Sequence, residues 1–259
     1  MKITFLGVEG YPQGGRETIS ILLELDGKRI LLDCGASIIG QLDRCGLSVC
    51  DINAVFVSHL HADHSSGVPL LLFGNLMERF ERRFSGTGEL TLIGNLAILN
   101  PLVSYCKAAY PALFGETSAV NISLLNIENN VPLKFKSNFT LECVPISHAV
   151  QGQSLILSND KFRICYTSDT RRTETLDNYA KGSNIIICNT FGCDDDVADK
   201  FGQLSASKAA EFARDMGAKQ LFMLHLPNDE TRTTAKQIAH KIFNGDIETP
   251  TNGESYLFD

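Results

Sequence analysis

The stretch Ser58-His59-Leu60-His61-Ala62-Asp63-His64 decides how the sequence is interpreted. It places three imidazoles and one carboxylate within six residues, directly after the largely apolar run 52–57, which predicts a buried strand. Alternation at a strand end sends His59 and His61 to one side, where both can reach the same metal ion. Asp63 and His64 come from the following turn and can reach a second ion. The alternative is a polar loop that happens to be rich in histidine, but clustered His and Asp favour the metal.

Three more candidate ligands lie far along the chain, and each follows a predicted strand. They are His148, Asp169 and His225. A single histidine at a strand end is more often structural than a ligand, but three such residues beside an incomplete ligand cluster favour metal binding. His240 lies in a predicted helix without a partner, so we interpret it as a surface residue.

The seven candidate ligands sort into two sets of three and one bridging carboxylate. The first set is His59, His61 and His148, and the second is Asp63, His64 and His225. Asp169 is the predicted bridge, because a carboxylate has two oxygens to share. Nitrogen-dominated ligation favours zinc, with manganese or iron as alternatives. An open position on each of the two divalent ions predicts a catalytic site and not a structural one.

Such a site predicts a particular chemistry. Two divalent ions about 4 Å apart bind a hydroxide between them at neutral pH and clamp both oxygens of a displacement. Asp63 and Asp169 are the predicted catalytic residues, the first binding metal and orienting the nucleophile, the second bridging the ions. Two ions, two carboxylates and one hydroxide leave about one positive charge at the site. The sequence therefore predicts a hydrolase that acts on a small anionic phosphodiester.

Composition limits the classes of protein to which the chain can belong. Its 259 residues are 44% hydrophobic and 20% charged, an ordinary balance for a globular chain. The first residues predict a strand and not a signal peptide, and no apolar run approaches the roughly 20 residues of a membrane-spanning helix. Eight cysteines without a CxxC pair predict reduced thiols and a cytoplasmic protein. The net charge of −7 argues against a broad basic face for nucleic acid.

Apolar strand patterns and amphipathic helix patterns alternate along the whole chain. Predicted strands cover residues 3–6, 18–25, 29–33, 54–58, 90–94, 139–145, 154–158, 162–167, 185–189 and 220–225. Predicted helices cover residues 70–84, 97–110, 205–216 and 231–243. Pro101, Pro111 and Pro132 predict an irregular middle. Because the sequence contains no linker-like segment, we expect one α/β domain over residues 1–259. We expect two mixed sheets packed face to face in it, with helices outside.

The order of these motifs resembles the metallo-β-lactamase-fold hydrolases, and within them the tRNase Z-like branch of tRNA 3′-processing endonucleases (RNase Z) and related phosphodiesterases. The similarity runs nearly end to end. It rests on the glycine-rich loop at 5–12 with Arg16, the Asp-Cys-Gly motif at 33–35, the HxHxDH stretch, the motifs at 168–170 and 189–191, and the remaining ligand histidines. The resemblance implies a four-layer αββα fold, in which two mixed β-sheets are sandwiched between helices, and a homodimer. It also implies that Asp33 supports the ligand loop; a turn residue that ends the strand is the alternative.

Two departures separate the chain from the tRNA-processing enzymes. Those enzymes carry a long arm between the equivalents of His148 and Asp169, whereas these residues are only 21 positions apart here. They also carry a Gly-His-Ser-Thr motif whose histidine helps catalysis, and the corresponding stretch here is Gly-Gln-Leu-Ser at 202–205. Glutamine cannot act as a general acid at neutral pH, and we interpret Gln203 as a loop residue before a helix. Transfer RNA is therefore the less favoured substrate.

Four functions remain open from the sequence. The favoured one is a dinuclear metal-dependent phosphodiesterase acting on a small phosphodiester of the cyclic-nucleotide type. The alternatives are a tRNA 3′ endonuclease, a lactone, ester or thioester hydrolase on the same metals, and a binding module on a degenerate site. The complete set of candidate ligands disfavours the last. The helix over 70–84 carries Arg79, Arg82 and Arg83, which either contact a phosphate or form a solvated face.

Overall fold

The computed structural model describes residues 1–11, 14–81, 88–115, 118, 120–135 and 139–258 of the chain. These residues form two compact units. The first consists of Met1–Asn126 and Thr251–Asp259, and the second of Ile127–Pro250. The single domain over residues 1–259 stays a prediction.

Seven strands described in the first unit form one mixed sheet. They are β1 (Lys2–Gly7), β2 (Ser20–Leu25), β3 (Lys28–Leu32), β4 (Ala54–Phe56), β5 (Gly88–Gly94), β6 (Val120–Asn126) and β14 (Glu254–Leu257). Their order across the sheet is β14-β1-β2-β3-β4-β5-β6. Pairing is antiparallel from β14 to β3 and parallel from β3 to β6. The carboxyl ends of β3 and β4 therefore lie at the same edge of the sheet.

Helices of the first unit cover its sheet through one apolar cluster. They are α1 (Ile38–Arg44), α2 (Ala62–Ser65), α3 (Val68–Phe80) and α4 (Leu96–Ala109). Leu31 of β3 and Val55 of β4 belong to the same buried cluster as Leu71 of α3 and Leu99 of α4. Burying such side chains stabilises the fold by about 2 kcal/mol each. This packing holds the ends of β3 and β4 in fixed positions.

The second unit contains the second mixed sheet, also of seven described strands. They are β7 (Leu133–Phe135), β8 (Phe139–Pro145), β9 (Gln153–Ser158), β10 (Arg163–Tyr166), β11 (Ile185–Asn189), β12 (Gln220–Leu224) and β13 (Asp246–Glu248). Their order is β13-β12-β11-β10-β9-β8-β7. Pairing is parallel from β10 to β13 and antiparallel from β7 to β10. Because β8 and β10 both run against β9, the carboxyl ends of β8, β10, β11 and β12 share one edge.

Each of the four α-helices described in the second unit is preceded by a residue whose side chain caps it. The helices are α5 (Glu174–Ala180), α6 (Asp195–Lys200), α7 (Ala206–Met216) and α8 (Asp229–Ala239). Thr173, Asp194, Ser205 and Asn228 precede them, and each accepts a hydrogen bond from a backbone N–H of the first turn. Gly217 ends α7 in the left-handed conformation, as its position after the apolar pattern predicts.

Two mixed sheets flanked by helices confirm the predicted α/β class. All ten predicted strands are present, whereas β6, β7, β13 and β14 were not predicted. The helix expected over 70–84 begins at Val68 and is described to Phe80, and residues 82–84 lie outside the described residues. The expected irregular middle is wrong for Pro101, which lies inside α4, and for the stretch that forms β6.

Two further features bear on partners. No helix in the described part of the chain combines the length and the apolar character needed to cross a membrane. Arg79 donates a hydrogen bond to Oδ1 of Asn75 on the same helix at 2.8 Å, while Arg82 and Arg83 fall outside the described ranges.

Candidate metal centre

The first group of candidate ligands lies where β4 ends in the first unit. Asp33 follows β3 directly, and His59 comes three residues after β4. Because β3 and β4 are parallel neighbours, with Leu32 paired with Phe56, both strands deliver polar residues to the same edge of the sheet. His61 precedes α2, and Asp63 and His64 lie within that short helix.

These four ligand side chains lie close together within the unit. The ring centroids of His59 and His61 are 4.7 Å apart, and those of His59 and His64 are 4.1 Å apart. Nε2 of His64 lies 3.4 Å from Oδ2 of Asp63. His59 and His64 are fully buried, whereas 17% of the Asp63 side chain is exposed. Asp63 and the half-buried His61 are therefore the candidate ligands of this group that solvent partly reaches.

Asp33 is the hydrogen-bonding hub beneath this group. Its Oδ1 accepts the backbone N–H of Ser58, and its Oδ2 accepts the Ser58 hydroxyl, both at 2.7 Å. The same Oδ2 lies 2.7 Å from Nδ1 of His64. Ser58 Oγ lies 3.0 Å from Nδ1 of His59. Asp33 thus supports the ligand segment, and is more than a turn residue at the end of β3.

This network fixes the tautomer of both buried histidines. A carboxylate only accepts hydrogen bonds, so Nδ1 of His64 carries the proton. The single Ser58 hydroxyl proton is donated to Asp33, so the hydroxyl accepts from Nδ1 of His59. In both rings Nε2 keeps its lone pair, which is the arrangement that orients a histidine toward a metal.

The second group of ligands lies at the strand ends of the second unit. His148 comes three residues after β8, Asp169 comes three residues after β10, and His225 follows β12 directly. Nδ1 of His148 lies 3.0 Å from the carbonyl oxygen of Gly202. A carbonyl only accepts, so His148 also presents an unprotonated Nε2.

Asp169 lies between the two histidines of this unit. Its Oδ2 is 3.7 Å from Nε2 of His148 and 3.7 Å from Nε2 of His225. The carboxylate is almost fully buried. Two amides also hold it, since Asn189 donates to Oδ1 at 2.8 Å and Gln203 donates to Oδ2 at 2.6 Å.

Strained backbone accompanies the ligands. Asp33, Ser168 and His225 have φ values of 59°, 56° and 65°, in the left-handed region that non-glycine residues rarely adopt. Each such residue costs about 1–3 kcal/mol unless its surroundings impose the conformation. Asp33 is the hub of the hydrogen-bond network, Ser168 precedes the candidate ligand Asp169, and His225 is itself a candidate ligand. Three of the five non-glycine residues with positive φ in the described part of the chain therefore lie at or beside candidate ligands, and the other two are Asp26 and Asn130.

Buried thiols beside the candidate ligands are not part of the donor set. Burial raises the pKa of Cys34, which follows Asp33, and the neighbouring aspartate charge raises it further. Burial also raises the pKa of Cys188, which precedes Asn189, to about 12. Burial thus favours the neutral thiol of both residues over the thiolate that metal binding and nucleophilic attack require.

Divalent metal ions fit the donors that the structure presents. Imidazole Nε2 atoms and carboxylate oxygens are the ligands that zinc and related ions take in proteins. Three of the rings have Nδ1 committed to an oxygen acceptor, so their remaining nitrogen is available to an ion. The structure brings His59, His61, Asp63 and His64 together in the first unit, and His148, Asp169 and His225 in the second.

Sequence reasoning missed several residues that support these ligands. Ser58, Asn189 and Gly202 received no role, and Gln203 was interpreted as a loop residue. Asn189 was detectable, because it is a polar residue that ends an otherwise apolar strand, as the ligands do. Gln203 carried no such signal, because it reaches Asp169 from a loop 34 residues further along the chain. His240 is exposed, in agreement with its interpretation as a surface residue.

Comparisons with known proteins agree with this fold. The chain is 24% identical to the probable metallo-hydrolase YhfI of Bacillus subtilis over 98% of both chains. It is 24% identical to ribonuclease Z of Metallosphaera sedula over 94% of both. The crystal structure of B. subtilis YhfI superposes with a TM-score of 0.82 and 19% identity over 98% of both chains. That of the short form of human tRNase Z gives 0.79 and 18% identity over 99% of both.

The fold and these relatives define the class of the protein. It is a metal-dependent hydrolase of the metallo-β-lactamase fold, in the tRNase Z-like branch, as the motifs predict. A family model described as "Anti-Pycsar protein Apyc1" matches residues 1–192, which is well over half of the 259 residues. The chain therefore belongs to the Apyc1 family.

Proposed function

We propose that the chain is a phosphodiesterase that hydrolyses a small, cyclic-nucleotide-type phosphodiester with two divalent metal ions, preferably zinc. The observation that carries the proposal is the position of Asp169, whose Oδ2 is 3.7 Å from Nε2 of both His148 and His225. One carboxylate oxygen placed between two imidazole nitrogens is the arrangement expected of a ligand that serves two ions. The seven residues His59, His61, Asp63, His64, His148, Asp169 and His225 would hold these ions.

The side chains divide the work between them. When bound, two divalent ions supply a water nucleophile active at neutral pH and positive charge for the phosphoryl oxygens. Asp33 and the Gly202 carbonyl keep the Nε2 atoms of His64 and His148 unprotonated and aimed. Asp63, the carboxylate that keeps partial exposure, orients the nucleophile. Burial of His59 and Asp169 keeps water from competing at the centre.

A small substrate is favoured over RNA by two observations. Every residue between His148 and Asp169 is described, and this stretch contains only β9, β10 and turns, with no arm to hold a tRNA. The formal charge of −7 gives the chain no surplus of basic residues for a phosphate backbone. A small phosphodiester needs neither, because the ions supply the local positive charge.

A tRNA 3′ endonuclease is the second candidate. It is favoured by the similarity to ribonuclease Z of M. sedula, which covers 94% of both chains. The two candidates share the metal ligands and differ in how the substrate is held.

Direct turnover distinguishes the candidates. Metal-loaded protein is incubated with the common 3′,5′-cyclic nucleotides, with a precursor tRNA and with a lactone, and the products are quantified. We expect nucleoside monophosphate from at least one cyclic nucleotide, and a loss of about 100-fold or more in Asp169→Ala, which removes a ligand. Asp160→Ala, an exposed carboxylate on the turn before β10, is the matched control and should retain the rate. Cleavage of tRNA alone would select the endonuclease, and turnover of the lactone alone would exclude both.

A further inference from the structure

We propose that Asn189 and Gln203 are positioning residues for Asp169. Their side-chain amides, called here the amide clamp, hold the two carboxylate oxygens in the orientation that metal binding needs. The inference rests on the proposed metal-binding role of Asp169. It gives a role to Gln203, which the proposed chemistry leaves without one.

The contacts of the clamp are short and buried. Gln203 Nε2 donates to Oδ2 of Asp169 at 2.6 Å, and Asn189 Nδ2 donates to Oδ1 at 2.8 Å. Asn189 is 0% exposed, Asp169 2% and Gln203 7%. A carboxylate has no proton to give at neutral pH, so each amide must turn its NH₂ group and not its oxygen toward Asp169. Hydrogen bonds to an ionised acceptor are about twice as strong as neutral ones.

The contact of Gln203 falls on the oxygen that matters most. Oδ2 is the atom 3.7 Å from Nε2 of His148 and of His225, and it also receives the Gln203 N–H. The two oxygens of an ionised carboxylate are equivalent, so what must be fixed for metal binding is the plane of the group about the Cβ–Cγ bond. With one amide donor on each oxygen, turning that plane moves both oxygens away from their donors. The clamp therefore selects one carboxylate orientation out of those that the side chain could adopt.

One loop supports two ligands at once. The carbonyl oxygen of Gly202 lies 3.0 Å from Nδ1 of His148, and the next residue, Gln203, binds Asp169. The loop is itself held, because Gln203 N donates to the Ala198 carbonyl at 3.0 Å. Asn189 is the last residue of β11, and its Nδ2 also donates to the hydroxyl of Tyr166 on the neighbouring β10 at 3.5 Å. Both halves of the clamp are thus anchored independently of Asp169.

The amide oxygens of the clamp indicate that Asn189 and Gln203 are not there merely to fill space. The amide oxygens of Asn189 and Gln203 are buried and have no hydrogen-bond partner among the residues that the structure describes. A buried acceptor left without a partner destabilises the folded state. Apolar side chains of similar size would avoid that cost. The chain instead keeps an amide on each side of the same carboxylate.

The role is one of orientation and not of proton transfer. An amide does not titrate near neutral pH, and the N–H of Gln203 is committed to Asp169. The position that carries a histidine in the tRNA-processing enzymes therefore acts here on a metal ligand.

Metal affinity of stripped protein tests the clamp without reference to turnover. Zinc binding is measured by competition with a chromophoric chelator for the wild type, Gln203→Met, Gln203→His and Asn189→Leu. Loss of either donor should weaken the more weakly bound ion by about 10- to 100-fold. Gln203→His keeps an N–H donor and should stay within a few-fold of the wild type. Gln41→Leu, which removes another buried glutamine, is the control and should bind as the wild type does.

Two outcomes separate the inference from the proposed function. Wild-type affinity in both Gln203→Met and Asn189→Leu, with a loss in Asp169→Ala, would overturn the clamp and leave the metal centre standing. Unchanged affinity in Asp169→Ala would overturn the metal role of Asp169, and the clamp with it. Urea unfolding of each stripped variant shows that it is folded, and a folded Gln203→Met with weakened binding that Gln203→His restores would support the clamp.

Discussion

At the scale of single residues, the direction of three candidate ligand histidines is set by an oxygen that accepts a hydrogen bond from Nδ1. Hydrogen bonds run from Nδ1–H of His64, His59 and His148 to Asp33, Ser58 and the Gly202 carbonyl, respectively. Each Nε2 is left as the unprotonated ring nitrogen. Orientation by such partners typically accounts for 10- to 100-fold in metal affinity, so these oxygens matter nearly as much as the ligands.

Asp33→Asn tests this dependence. An amide at this position points an N–H group at atoms that are themselves donors, so at least one buried donor loses its acceptor. We expect the free energy of unfolding of the stripped protein to fall by about 1–3 kcal/mol, and zinc affinity to fall by about 10-fold or more. Urea unfolding and chelator competition measure the two. Asp160→Asn, on an exposed turn, is the control, and equal stability of both variants would refute the role of Asp33.

The candidate ligands, whose metal-binding role stays a prediction, could be named from the sequence, and the residues that support them largely could not. Close spacing in the sequence indicates the first four, which are His59, His61, Asp63 and His64. A position directly after an apolar strand indicates the other three, which are His148, Asp169 and His225. Gln203 touches Asp169 only because β11 and the loop before α7 are brought beside β10 by the order of the sheet. No local pattern encodes that contact.

At the scale of elements, the loop between α6 and α7 depends on one glycine. Gly202 has φ of +72°, and a Cβ there would lie 3.0 Å from Nδ1 of His148 and 3.3 Å from Nη1 of Arg171. The backbone must come this close for the Gly202 carbonyl to accept the hydrogen bond from Nδ1–H of His148. A side chain at 202 is thus opposed both by conformation and by space.

Gly202→Ala separates these two effects when it is compared with Gly182→Ala. Gly182 has a similar φ of +78° with no atom within 4 Å of the added Cβ. Both substitutions should cost about 1–2 kcal/mol of unfolding free energy through backbone strain. Only Gly202→Ala should also weaken zinc binding, because it displaces His148. Equal zinc affinities in the two variants would show that the loop does not position this ligand.

The strands that the sequence pattern missed share one property. β14 and β6 are the two edges of the first sheet, and β13 and β7 are the two edges of the second. Edge strands are exposed to solvent at several positions, so apolar periodicity is weak in them. The strand β6, for example, has one buried residue, Val120, among its seven. The central strands carry the strongest apolar pattern and precede the candidate ligands, which is why these strands were predicted from the sequence and the sheet borders were not.

At the scale of the whole molecule, buried thiols make the free energy of unfolding decrease at alkaline pH. Burial raises the pKa of Cys106 from its ordinary value of 9.0 to about 11. The folded state then holds a proton that the unfolded state has lost, so stability falls as pH rises between these values. The contribution is fully present below pH 9 and is lost as pH passes 11.

Urea unfolding between pH 8 and pH 11 measures this effect. The wild type should lose stability more steeply with rising pH than Cys106→Ala, since the variant lacks one proton-binding group in the folded state. The slopes are compared and not the absolute stabilities, because the substitution also removes buried volume. Parallel slopes in the two proteins would contradict a protonated, buried Cys106.

Fold and class follow from the motifs, whereas the substrate and the homodimer stay predictions. Ligand spacing and motif order define a metal-dependent hydrolase, because the chemistry of the donors restricts what can occupy those positions. Substrate choice depends on groups that hold the rest of the substrate molecule, and the chain is similar over 94% of its length to ribonuclease Z of Metallosphaera sedula. Association between chains depends on surfaces that carry no comparable motif.

The central claim is that two divalent ions on these seven residues hydrolyse a small phosphodiester. The most direct test is the rate of 3′,5′-cyclic nucleotide hydrolysis by chelator-stripped protein as zinc is added back in known equivalents. The account predicts no hydrolysis without metal, a rate that rises and levels off at two ions per chain, and no rise in Asp169→Ala. Hydrolysis that survives stripping, or a fully metal-loaded protein that leaves every cyclic nucleotide intact, would contradict it.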